Sequence, residues 1–123
     1  ETEVTFEKND TSFDNPLELS SLEKIVGDAF NDAGLPVAPK EAQGGATDVG
    51  NISWRCPAIQ PMLSIIDKPV PLHTAELESA TRSPLGHERM ALGARIMAYT
   101  LLRFMTDEKL RREVRAEFEK KSR

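Results

Sequence analysis

The sequence is short of cysteine and of aromatic residues, and it has no excess of positive charge. One cysteine among 123 residues permits no internal disulfide, which fits a reducing compartment. The 16 Lys and Arg residues against 20 Asp and Glu residues give a net charge of -4, so nucleic acid is not a predicted partner. No apolar run approaches the roughly 20 residues of a membrane helix, and residues 1–8 do not have the pattern of a signal peptide. We therefore predict a cytoplasmic protein with no membrane partner.

With 39% hydrophobic and 29% charged residues, the composition is that of a globular domain or of a piece of one. Residues 3–7 alternate in hydrophobicity, which predicts a strand with Val4 and Phe6 on one face. A strand needs a sheet, and no comparable alternating run follows nearby. We therefore expect its neighbouring strands upstream of Glu1, in a truncated or processed chain.

Apolar spacing predicts one helix, one buried strand and then two further helices. The first helix begins at a capping-box sequence, Ser20 to Glu23, and ends at Gly34. The apolar run between Pro57 and Ile66 is typical of a strand that is buried on both faces of a parallel sheet. Elements in this order predict an incomplete α/β layer.

The two C-terminal helices each carry an apolar stripe. The first is predicted over 86–105, and its core-facing positions are Met90, Ala94, Met97, Leu101 and Phe104. Thr106 can cap the second helix, whose first turn is acidic and whose last turn is basic, as the helix dipole favours. The narrow apolar seam of this second helix consists of Leu110, Val114 and Phe118.

The densest polar cluster of the sequence is Gly-Gly-Ala-Thr-Asp-Val-Gly-Asn at residues 44–51. Its glycines let a ligand approach the backbone, while Thr47 and Asp48 offer side-chain hydrogen bonds, a combination that favours a binding site. The same spacing also fits a turn in which Asp48 caps a short helix through Asn51 and Ser53. The residues alone leave both interpretations open. They exclude a phosphate loop, because no Gly-Lys-Ser/Thr follows.

Histidine and cysteine offer few further candidates. His73 follows the predicted buried strand, where α/β folds place their sites, so its imidazole can bind a metal or can simply be solvated. His87 is predicted to be a residue at the start of the long helix rather than a metal ligand. Cys56 is predicted to be a small core residue, because a nucleophilic thiol needs an activating neighbour. No HExxH, CxxC or paired-histidine spacing occurs, so the chain has no evident motif for a complete zinc site.

Taken in order, these features resemble a known family. Gly-Ala-Thr-Asp-Val-Gly-Asn-Ile-Ser-Trp at 45–54 is followed by the proline-flanked apolar run, by His73-Thr74, and by Gly86-His87 at the start of the long helix. This order resembles the C-terminal part of the zinc-dependent amidohydrolases and exopeptidases that include aminoacylase, carboxypeptidase G and aminobenzoyl-glutamate hydrolase. The resemblance extends from about residue 13 to the end of the chain.

The resemblance implies an α/β catalytic domain that is split in sequence by a lid or dimerisation domain. Residues 1–12 would be the end of that lid domain, with the strand at 3–7 left over from it, and residues 13–123 would be the C-terminal part of the catalytic domain. The implied partners are the upstream part of the same enzyme, a small amide substrate and a second copy of the intact enzyme in a homodimer.

The resemblance also implies the chemistry. The intact enzyme would hydrolyse the amide bond of a small N-acyl amino acid or dipeptide-like substrate with two divalent ions, expected to be zinc, to which this chain contributes His73. The wall that borders the substrate would be formed by Gly45, Thr47, Asp48, Gly50 and Asn51. The other metal ligands and the general base would come from upstream, so no catalytic residue is expected here and the isolated chain would be inactive. The residues after His73, Thr-Ala-Glu, depart from the family pattern.

A second hypothesis belongs to a different class. The chain could be a non-enzymatic interaction module that docks a protein partner through the seam of its last helix, at Leu110, Val114 and Phe118. Such a module would fold alone and would need no metal.

Overall fold

The computed structural model describes residues 2–7, 12–38 and 46–123, and the regular structure within them is helical. The five helices are α1 (Ser20–Asp32), α2 (Val49–Ser53), α3 (Ala75–Thr81), α4 (Pro84–Thr106) and α5 (Glu108–Lys121). Helices α1, α4 and α5 pack against one another, and α3 packs against α4.

Helix α1 forms because its apolar residues recur on one face and its end is well defined. Leu22, Ile25, Val26 and Ala29 are buried along that face. The helix ends where Gly34 adopts a φ of 75°, a left-handed conformation that costs glycine little. The predicted end of this helix is confirmed.

The core lies between α1, the segment before it, and α5. It consists of Leu17, Leu19, Leu22, Ile25 and Val114, and Phe104, Leu110 and Phe118 pack against it. The apolar seam of the last helix therefore faces the interior of this chain, where Val114 is 1% exposed.

A carboxylate from α5 caps the first turn of α1. Glu117 accepts hydrogen bonds from the backbone N–H groups of Ser20 and Ser21, both at 2.9 Å. It also accepts from their hydroxyls at 2.8 and 2.6 Å, and from Lys121 at 2.8 Å. Burial opposes ionisation of Glu117, but the hydrogen bonds from Lys121, Ser21 and Ser20 outweigh it and hold the pKa of this carboxyl well below its usual range. The predicted capping box is thus replaced by a cap from a distant helix, since the N-cap residue is Leu19.

We expect Glu117→Gln to lower the free energy of unfolding by about 1–2 kcal/mol at neutral pH, because hydrogen bonds to a charged acceptor are the stronger ones. Urea unfolding followed by circular dichroism measures this loss. The matched control is Glu119→Gln on the same helix, where an exposed ion pair with Arg115 is lost and a much smaller change is expected.

The same substitution should also change the pH dependence. A carboxyl whose pKa is lowered by folding stabilises the fold fully above its ordinary value of 4.5, and this contribution is lost as the pH falls below that value. The difference in stability between the wild type and Glu117→Gln should therefore shrink below pH 4.5. An equal difference at neutral and acidic pH would show that the charge of Glu117 does not act as a cap.

The α/β prediction is wrong for the part of the chain that the structure describes, which contains no strand or sheet. Residues 2–7 have no regular structure, and Phe6 is 91% exposed. The run predicted as a buried strand is also irregular, and its Met62 is 54% exposed. A strand is stable only when its backbone groups pair with a neighbour, and the described residues provide no neighbour for either run.

Side-chain burial also departs from the sequence pattern in several places. The stripe of α4 that was predicted to face the core is largely exposed, although its Phe104 packs against the core, and the buried residues of the helix are Gly86 and Ile96. Cys56, predicted to be a core residue, is exposed. Helix α3 is not among the elements that apolar spacing predicts, and it is capped by Thr74, whose hydroxyl accepts from Leu77 N at 3.3 Å.

Two further predictions concern membranes and domains. No helix in the described ranges is long and apolar enough to cross a membrane. Nothing in the fold tests the predicted domain boundary after residue 12 or the predicted cytoplasmic location, which stay predictions.

Candidate functional site

The predicted substrate-binding turn lies at the start of α2. Its Gly45 falls outside the described residues. Thr47 is half-buried, and its hydroxyl accepts from Val49 N at 3.3 Å while its carbonyl accepts from Gly50 N at 3.1 Å. These bonds fix the turn that leads into the helix.

Asp48 occupies the N-cap position of α2 but does not cap it with its side chain. Its φ and ψ of -64° and -17° are already helical, whereas a capping side chain needs an extended backbone to reach back to the helix. The carboxylate is exposed and accepts a long hydrogen bond of 3.5 Å from the Thr47 hydroxyl. The short helix of the alternative interpretation forms, but without the cap that it invoked. The Asp48 carboxylate is left on the surface beside Thr47.

The polar side chains of α2 hold the segment 12–17, which we call the strap. Asn51 Oδ1 accepts from Asp14 N at 3.0 Å, and Asn51 Nδ2 donates to the carbonyl of Ser12 at 2.8 Å. Ser53, 1% exposed, accepts from Leu17 N at 2.8 Å and donates to its own helix at the carbonyl of residue 50. Just after the helix, the Trp54 indole donates to the strap at the carbonyl of residue 15, at 2.8 Å.

Gly50 allows the strap to approach α2 closely. A Cβ at this position would lie 1.9 Å from the carbonyl oxygen of Asp14, which is far inside contact distance. Gly50 and Asn51 therefore have a structural part in seating the strap, and their predicted contact with substrate stays a prediction. The sequence pattern singled out these residues but not their partners in the strap, which lie more than 30 residues away.

His73 has an unusual backbone conformation. Among the non-glycine residues that the structure describes, it is the one with a positive φ, 62°, and its side chain is exposed. It lies directly before α3, where Thr74 donates to the carbonyl of Pro71 at 3.0 Å, and an ion pair joins Lys68 to Glu76 across the loop. Left-handed backbone is uncommon outside glycine, although histidine is among the side chains that adopt it more often, and it persists where the surrounding structure holds it.

The structure does not join His73 to the turn at Thr47 and Asp48. No hydrogen bond or ion pair links them within the described residues, and no three His, Cys, Asp or Glu side chains there could hold a metal ion together. An open groove of about 490 Å³ lies between residues 65–68 and the helices α3 and α4. His73 and the turn are not among its lining residues.

Part of the chain is similar to a known hydrolase, and the similarity supports at most an amidohydrolase-like family. Over 72 residues, 58% of this chain, the sequence is 36% identical to one of the subunits of the p-aminobenzoyl-glutamate hydrolase of Escherichia coli strain K12. The match spans 15% of the length of that relative. No family model and no solved structure matches the chain.

Proposed function

We propose that this chain is a segment of a metal-dependent amidohydrolase that cleaves a small N-acyl amino acid and that the segment has no activity alone. The observation that carries the proposal is the 36% identity to a hydrolase whose name gives p-aminobenzoyl-glutamate, an N-acyl amino acid, as its substrate. The name also describes that relative as a subunit. This agrees with the proposal that the present chain is active only together with other parts of an enzyme.

In this proposal His73 supplies one imidazole nitrogen to a two-metal centre. Its exposed position and its left-handed φ of 62° support the assignment, because strained backbone at a non-glycine residue is more frequent at functional sites. A bound zinc ion would polarise the substrate carbonyl and lower the pKa of its water to about 7. One imidazole does not make a site with three or more ligands, and the described residues contain no group of three that could hold a metal ion. In this proposal the other ligands and the general base come from the rest of the enzyme.

The proposed role of Thr47 and Asp48 is to border the substrate. The Asp48 carboxylate is exposed and caps no helix, so it can accept a hydrogen bond from the N–H of an amide. The hydroxyl proton of Thr47 has only the long contact with Asp48 and can turn toward a substrate oxygen. Gly45 would belong to the same wall by its place in the sequence.

The test is an assay of the native-length protein that contains these 123 residues, with p-aminobenzoyl-glutamate as substrate and metal content measured by mass spectrometry. We expect release of aminobenzoate, loss of activity on chelation and recovery when zinc is added back. The 123-residue chain, assayed beside it, should release none. A folded native-length protein that cleaves no N-acyl amino acid with any divalent ion would contradict the proposal.

The interaction-module hypothesis loses the surface on which it was based. Its seam of Leu110, Val114 and Phe118 packs in the core against α1, so it is not available to a partner.

A further inference from the structure

Helix α4 carries an apolar face that no described residue covers. Met90, Met97, Leu101 and Met105 are between 58% and 71% exposed. At 100° per residue they share a sector about 100° wide with the exposed Ala94 and Ala98. Every Asp, Glu, Lys and Arg of the helix lies outside this sector, and His87 in the first turn is the one ionisable side chain within it. We call the six apolar residues the outer face.

The neighbouring side of α4 is packed. Phe104 lies about 20° from Met97 around the helix and packs against the core that α1 and α5 form, and Ile96, about 100° from Met97, is 5% exposed. Four of the six residues of the outer face, Met90, Ala94, Met97 and Leu101, belong to the stripe that the sequence pattern predicts to be buried.

The irregular run between α2 and α3 contacts α4 beside the outer face. Leu63 reaches α4 beside Gly93, where an added Cβ would be 3.5 Å from the Leu63 side chain. Ile59 and Met62 of the same run are exposed as well. Exposed apolar side chains are therefore not confined to α4, and the contact at Gly93 lies beside the outer face rather than on it.

We propose that the outer face of α4 is covered by a part of the same hydrolase that lies outside these 123 residues. This inference rests on the proposed function. The match with the relative covers 15% of that protein's length, so a hydrolase of similar length would have most of its chain outside these residues to supply the covering surface. The covering surface is apolar, because a charge buried against Met97 or Leu101 would find no partner on the outer face.

Two measurements on the native-length protein test the inference, and neither depends on hydrolysis. The first is oxidation by peroxide. Met97 should be oxidised about tenfold more slowly than in urea, since a covered thioether meets little oxidant. Oxidation at the denatured rate would overturn the inference.

The second measurement identifies what covers the face. A photo-crosslinking benzoylphenylalanine at Met97 should join a peptide of the hydrolase outside these 123 residues, whereas the same group at Tyr99, about 200° round the helix, should do so rarely. Leu101 serves as a second position if the Met97 variant does not fold. Crosslinks between two copies of α4, or equal yields at Met97 and Tyr99, would overturn the inference. If the native-length protein gives the expected crosslink but cleaves no N-acyl amino acid, the inference about the outer face would stand and the proposed function would be wrong.

Discussion

Replacement of His73 by asparagine should lower kcat/KM for amide hydrolysis by the native-length protein by about two to four orders of magnitude. The proposed two-metal centre loses a ligand in this variant, so both the metal content and the polarisation of the substrate carbonyl decrease. Asparagine is the informative choice because it also tolerates the left-handed φ of 62° at this position. The loop before α3 should therefore keep its shape, and the loss of rate reports on the imidazole.

Two further variants separate the imidazole from the backbone. His73→Gly removes the side chain and relieves the positive φ, so the native-length protein should lose activity while its stability is unchanged or slightly higher. His87→Asn removes the other histidine, which lies exposed in the first turn of α4, and should keep activity within about threefold of the wild type. Full turnover and full zinc content in His73→Gly would remove His73 from the proposed metal centre.

The local features of the helices could be predicted from the sequence, and the long-range ones could not. The end of α1 follows from Gly34. The start of α5 is predicted to within two residues, but its cap is Asp107, which accepts from Leu110 N at 3.0 Å, and not Thr106, which is the last residue of α4. The cap of α1 by Glu117 joins residues 97 positions apart, and no local pattern contains it. Helix α3 is not predicted by apolar spacing, although its Thr74 cap and its acidic first turn are present in the sequence.

The failed strand predictions have a different cause. Hydrophobic alternation indicates which side chains avoid water, but the backbone of a strand also needs a paired neighbour. For residues 3–7 and for the run from Pro57 to Ile66, the described residues offer none, and the side chains stay largely in solvent. The same reasoning applies to the stripe of α4, whose periodicity was identified correctly and whose predicted burial is not found in this chain.

The candidate site was predicted in part. The polar cluster at 44–51 does form an ordered turn and a short helix from residue 46 onward, and its Asn51 and Gly50 make close contacts. The sequence could not indicate that these contacts are made with the strap, because side-chain chemistry at one position does not identify a partner far along the chain. It also could not show the left-handed backbone of His73, since histidine occurs in either conformation.

Gly50→Ala should be among the most destabilising single substitutions in this chain, at about 3 kcal/mol or more of lost unfolding free energy. The added Cβ would lie 1.9 Å from the carbonyl oxygen of Asp14 and 3.0 Å from its carbonyl carbon. Both are backbone atoms, which cannot rotate away as a side chain could, so the strap must move off α2. Its bonds to Asn51 and Ser53 then lengthen or break, at 3.0 and 2.8 Å in the wild type.

The matched control for this substitution is Gly27→Ala in the middle of α1, where an added Cβ meets nothing within 4 Å. Alanine there should raise stability by about 0.5–1 kcal/mol, because glycine loses more backbone entropy in a helix. Urea unfolding of both variants, followed by circular dichroism, gives the comparison. In the native-length protein, Gly50→Ala should also raise KM more than Gly27→Ala, since the strap supports the turn that carries Thr47 and Asp48. Wild-type stability of Gly50→Ala would mean that the strap does not seat on α2, and the turn would then lack the support described here.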